Sequence, residues 1–227
     1  MFIFGIVMHE LGHLIGGLIG GYKLYYVEVF GLFLIKYEKG FRLGRNKKVP
    51  VGQCIMYHED INKNPVPLIV GGLAQNFLLV LFGTIMFFVI NGIVLRTVFL
   101  IISISNMSLV LMNIFGSSSS DGMTLKEVLG SKTASRMYNE IMILYYLLGD
   151  PQNKLTLTRN SEKSEIAGNN RAENKEKEIK KIEEQIEKDL RESCNCHNGK
   201  SSLREELEML FRLMKEQGKD GFVGKNF

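Results

Sequence analysis

The chain has 227 residues, a formal net charge of +4 and a mean hydropathy near zero, a length for one or two domains. The average hides two halves, since residues 1–115 are mostly apolar and residues 116–227 mostly polar and charged. So small a net charge, with no basic stripe carrying interleaved aromatics, argues against a nucleic-acid binder. Three cysteines (Cys54, Cys194, Cys196) give no disulfide framework, which suits cytoplasm-facing soluble parts. The N-terminus lacks a basic n-region, so a secretory signal peptide is not expected there. Richness in Lys, Asn, Ile and Glu points to an AT-rich bacterial source.

Residues 1–22 read as a transmembrane helix, about long enough to cross roughly 30 Å of hydrocarbon. Within it lies His9-Glu10-Leu11-Gly12-His13, an HExxH motif. Two imidazoles four residues apart project from one helix face, close enough to bind one metal ion. Glu10 sits about 100° around the helix, where it reaches a water on the metal rather than the metal itself. That is the arrangement of a zinc hydrolase, in which a carboxylate takes the proton of a water acidified to a pKa near roughly 7. From Met1 to Tyr22 the only formal charge is Glu10. An ionisable group in so apolar a run is costly and marks function, here a zinc site inside a membrane. Glycines at four-residue spacing (Gly12, Gly16, Gly20, and Gly17 with Gly21) suit close helix packing or a direct role at the site. Only eight residues precede His9, which is compatible with an upstream truncation.

Residues 24–48 change character. Leu24–Phe30 and Leu32–Tyr37 are rich in β-branched and aromatic residues, and Lys39-Gly40 reads as a turn before Phe41-Arg42-Leu43. The expectation is a β-hairpin or small sheet at the membrane edge, serving as an anchor or taking an extended substrate by strand addition. Arg42, Arg45, Lys47 and Lys48 gather where anionic head groups would hold them. Residues 49–65 read as a loop closed by Asn64-Pro65-Val66-Pro67, and His58, Glu59 and Asp60 fit its solvated surface better than a second metal site.

Residues 68–90 form a second span, with Gly71-Gly72-Leu73-Ala74-Gln75-Asn76 near its start. A Gln and an Asn in an apolar helix need partners. Asn76, one turn from Gly72, either bonds a neighbouring helix or faces the metal and holds substrate backbone. Residues 93–115 make a third span, in which Asn113 is another candidate for lining the site. A Gly-Ser linker, Gly116 to Ser120, leads to Asp121-Gly122. Catalytic zinc takes three protein ligands and one open position. His9 and His13 supply two, and Asp121, the first acidic residue after the third span, is the third candidate.

The tail reads as separate: an amphipathic helical segment within 123–151, a polar linker at 152–170, and a charged helical hairpin or coiled coil at 171–227. The hairpin rests on Ile179, Ile182, Ile186 and Leu190 in one helix and Leu203, Leu207, Leu210 and Met214 in the next. It offers a surface for a partner or for self-association. Cys194-x-Cys196-His197 in the intervening turn is a weak metal signal. Basic residues crowd 36–63 and the tail, whereas the turn between spans two and three has only Arg96. By the positive-inside rule both polar parts are cytoplasmic, which brings His13, Gly72 and Asp121 to one side of the membrane.

These features resemble the site-2 protease family of intramembrane zinc metalloproteases over roughly residues 1–122. They are the HExxH in a glycine-containing span, a membrane-edge β element, a GxxxN motif at Gly72–Asn76, and a later Asp-Gly. The resemblance implies zinc on His9, His13 and Asp121, Glu10 as general base or acid, and Asn76 against the substrate peptide or its developing oxyanion. Where the family commonly carries Asn and Pro before the Asp-Gly, this chain has Ser118-Ser119-Ser120. The fold expected is mainly α and polytopic, with about three transmembrane helices, the β element and a cytoplasmic helical tail. The substrate expected is a transmembrane or membrane-associated peptide in the cell membrane. A membrane-anchored scaffold with a coiled tail and an inert HExxH is the alternative.

Overall fold

A computed structural model describes residues 2–37, 40–45, 52–116, 120–149, 180–192 and 201–219. The apolar half is built from three helices long and apolar enough to cross a membrane: α1 (Phe2–Ile19), α2 (Val66–Val89) and α3 (Ile93–Phe115). Their outward faces keep Phe4, Ile15, Phe88, Ile93 and Phe115 exposed, as surfaces that meet lipid do. α1 and α2 pack backbone to backbone. A Cβ at Gly12 or Gly16 would collide with the carbonyls of Gly71 and Pro67, so these glycines are the means of contact.

Between α1 and α2 lies an open antiparallel sheet of four strands, β1 (Lys23–Val29), β2 (Leu32–Tyr37), β3 (Gly40–Arg45) and β4 (Gly52–Tyr57), in the order β3-β2-β1-β4. β1 and β2 are joined at Phe30 and Gly31, whose φ values of 51° and 79° match the twist of a tight hairpin. Strands β1, β2 and β3 correspond to the small sheet expected over residues 24–48, whereas residues 52–57, expected as loop, add β4 at one edge. The reason is burial on both faces. Ile55 and Met56 are adjacent and both buried, so the strand carries no polar–apolar alternation. β4 seats the sheet on α1, with Met56 filling the space left by Gly17.

The polar half contributes α4 (Asp121–Gly130), α5 (Lys132–Gly149), α6 (180–192) and α7 (Ser202–Lys219). The start of α4 at Asp121, ahead of the helical segment expected over 123–151, was not anticipated. Asp121-Gly122, a common turn dipeptide, opens a helix here, and Gly122 lets its first turn rest on the backbone of Asn113 and Ile114. Ile186, Leu203, Leu207, Leu210 and Phe211 share one core with Ile141, Met137, Met56, Leu68 and Ile69. The tail helices therefore join this core through α5, and α7 also meets α4. The expected linker at 152–170 and the Cys194–His197 cluster lie outside the described residues.

Two polar ties fix this packing. Asn139 of α5 donates to the carbonyls of Ile61 and Lys63 and accepts from Tyr22 Oη at 2.8 Å. Asp189 of α6, wholly buried, receives Arg136 of α5 at 2.7 and 2.9 Å and Gln185 at 3.1 Å. Beside it Glu140 is also wholly buried, and among the described residues neither of its oxygens meets a donor. Burial and the neighbouring Asp189 carboxylate push the Glu140 carboxyl up to about 8, so that its own proton serves as donor toward Asp189. Below its ordinary value of 4.5 the group is protonated folded or unfolded, and it costs nothing. As pH climbs from there through about 8 the packed state loses stability, by a few kcal/mol at most. We expect the hydrogen-exchange protection of α7, corrected for intrinsic rates, to fall over this range and Glu140→Gln to flatten the fall. An equal fall in the variant would rule Glu140 out as its source.

Candidate metal centre

The HExxH lies at the middle of α1, with His9, Glu10 and His13 all buried. Helical spacing sets the two imidazoles side by side, ring centroids 4.6 Å apart and edge to face. Asp121 reaches them from the first turn of α4. Its Oδ2 lies 2.9 Å from His9 Nε2 and 3.3 Å from His13 Nε2, and the two Nε2 atoms are 3.1 Å apart. Among the described residues this is the group of His, Cys, Asp and Glu side chains able to hold a metal ion. Burial alone would raise the Asp121 carboxyl, but hydrogen bonding to His13 and His9 outweighs it and holds the group well below the usual carboxylate range.

Helix α2 backs both rings. His13 Nδ1 is 2.8 Å from the carbonyl of Leu68, an acceptor only, so Nδ1 carries the proton and Nε2 is turned toward Asp121. Asn76, wholly buried, lies 3.1 Å from His9 Nδ1. Gly72 is pressed against the imidazoles: a Cβ there would stand 2.5 Å from His13 Nε2 and 2.7 Å from His9 Cε1. The GxxxN pair thus sits behind the rings. Asp121 marks the accessible side, its side chain 24% exposed against 9% and 11% for His9 and His13.

Glu10 points away from this backing toward the start of β4, where a Cβ at Gly52 would fall 2.5 Å from its Oε1. The carboxylate borders Cys54 on the same strand, and burial, with the charge of Glu10, pushes the Cys54 thiol up to about 12. Leu68 and Gly52 were not anticipated as parts of the site. Leu68 acts through its carbonyl, which no side-chain pattern reports, whereas a lone glycine opening a strand is a signal of close approach. His58 belongs elsewhere: its Nδ1 accepts from the Asp60 amide, and Glu59 pairs with Lys23. The side chain of Asn113 donates to its own helix at Leu109.

No family model, curated protein or solved structure matches this chain.

The Gly72 contact gives a direct check. Gly72→Val drives a branched side chain into both imidazoles, so we expect divalent-metal affinity to drop by about 10-fold or more. Competition with a chelating dye in detergent measures it. Unchanged affinity would mean that the rings tolerate displacement and are not held as described.

Proposed function

We propose that the chain is an intramembrane zinc metalloprotease that hydrolyses a peptide bond in a transmembrane or membrane-edge substrate. One observation carries this reading: Asp121, 112 residues from His9, comes within 3.3 Å of both HExxH imidazoles. The scaffold alternative gives no reason for that convergence. Zinc–ligand bonds of about 2.0–2.1 Å at tetrahedral angles put ligand atoms about 3.3 Å apart. The three separations here, 2.9, 3.1 and 3.3 Å, fit that cage with slight contraction. Two imidazoles and one carboxylate are also the donor set of a hydrolytic zinc, which leaves one position for chemistry.

In this reading His9, His13 and Asp121 hold the ion, and α2 fixes the rings from behind. When bound, zinc supplies Lewis acidity, lowering the pKa of water to about 7 and polarising a carbonyl. Glu10 takes the proton of the attacking water and later delivers it to the leaving amine. Its carboxylate lies against Gly52, where the absence of a side chain makes room for it. The substrate segment unwinds beside Asp121, the exposed side, while the apolar helices keep bulk water away. The three apolar helices lie in the cell membrane, and the basic 36–63 region and the tail are cytoplasmic by the positive-inside rule. Association of the tail with a partner or a second copy would use its outer faces, because Ile186, Leu203, Leu207 and Leu210 are buried in the shared core.

Glu10→Gln tests the assignment, because it keeps the ligands and removes the base. Zinc content should stay at that of wild type while cleavage of single-span substrates falls about 10²–10⁴-fold. His13→Ala should lose the metal. Equal zinc in wild type and His13→Ala would favour the scaffold.

A further inference from the structure

Asn76 is a wholly buried amide that touches a proposed ligand, and half of it is unused. Its Nδ2 lies 3.1 Å from His9 Nδ1, while its Oδ1 is buried and, among the described residues, has no partner. In that orientation the NH₂ donates to Nδ1, so a neutral His9 carries its proton on Nε2 and donates it to Asp121 at 2.9 Å. This closes the triangle of ligand atoms with a proton in place of a cation. It also leaves a buried amide oxygen without a partner among the described residues, which disfavours this orientation.

Rotation of the amide by half a turn exchanges two groups of nearly equal size. The oxygen then faces Nδ1, takes its proton, and is no longer orphaned. Nε2 is left with a lone pair directed at the space shared with His13 and Asp121. The bond from His13 Nδ1 to the Leu68 carbonyl already does the same for the second ring. Both partners stand on α2, eight residues apart in sequence and two turns along one helix.

We infer that Asn76 is a positioning residue that accepts the Nδ1 proton of His9 and so selects the tautomer whose Nε2 binds metal, rather than a group that contacts substrate. The inference rests on the metal centre proposed above and not on the reaction carried out there. A substrate-contacting amide needs a free face toward the peptide; the Asn76 side chain has no exposure and lies behind the His9 ring.

The test compares zinc affinity and turnover in full-length Asn76→Leu, which removes the acceptor at similar size, and Asn76→Asp, which keeps an acceptor and removes the donor. Acceptance by Oδ1 predicts that Leu weakens zinc about 10–100-fold and that Asp restores it. A contact to the oxyanion predicts the reverse: zinc affinity unmoved in both variants and turnover lost in both, which would overturn the inference. A wild-type chain that takes up no zinc would overturn it together with the metal centre. Should Asn76→Leu fail to fold, ¹⁵N spectra of histidine-labelled wild type loaded with zinc decide the matter, since the chain has four histidines to resolve. A protonated His9 Nδ1 with metal on Nε2 supports the inference, and an unprotonated Nδ1 overturns it.

Discussion

The contact on which the rest depends is the approach of α1 to α2. Two helices with ordinary side chains between them keep axes about 8–10 Å apart. Gly12, Gly16 and Gly71 remove the intervening Cβ atoms, and the helices meet at their carbonyls. Across this contact the Leu68 carbonyl lies 2.8 Å from His13 Nδ1 and the Asn76 amide 3.1 Å from His9. Gly72 completes the fit by leaving the rings a flat surface to lie against. The same close packing of small residues thus fixes two buried imidazoles against α2.

Much of this was legible in the residues. The HExxH gave His9, Glu10 and His13 their relative placement, because a helix dictates what residues four apart can do. The three long apolar runs gave α1, α2 and α3 nearly to their ends, since an uninterrupted apolar stretch of that length has few alternatives. Asp121 was reached by elimination among carboxylates, and it does stand beside both rings. What local pattern missed has a separate cause in each case. β4 has adjacent buried Ile55 and Met56 and therefore no period, and α4 opens on a dipeptide whose local preference is a turn, overridden by its packing on α3. The backbone acceptor at Leu68 lies beyond any side-chain motif.

The polar half bears on the site through α4. That helix carries Asp121 at its first turn and Glu127 two turns later, and the Glu127 carboxylate takes the N-terminus of α7: it accepts from the Ser201 hydroxyl at 2.8 Å and from the Ser202 amide at 3.1 Å. A carboxylate on the free amides of a helix start is among the more favourable surface interactions, because charge and dipole agree. Helix α7 is in turn bound to α5 through Leu207 and Leu210, and α5 to the base of the apolar helices through Asn139. Unlike the two imidazoles, which their own helix and α2 hold, the third proposed ligand is thus located by a rigid element whose far end is gripped by the tail. The position of Asp121 follows from packing in both halves of the chain: α4 rests on α3 at Gly122 and holds the start of α7 through Glu127.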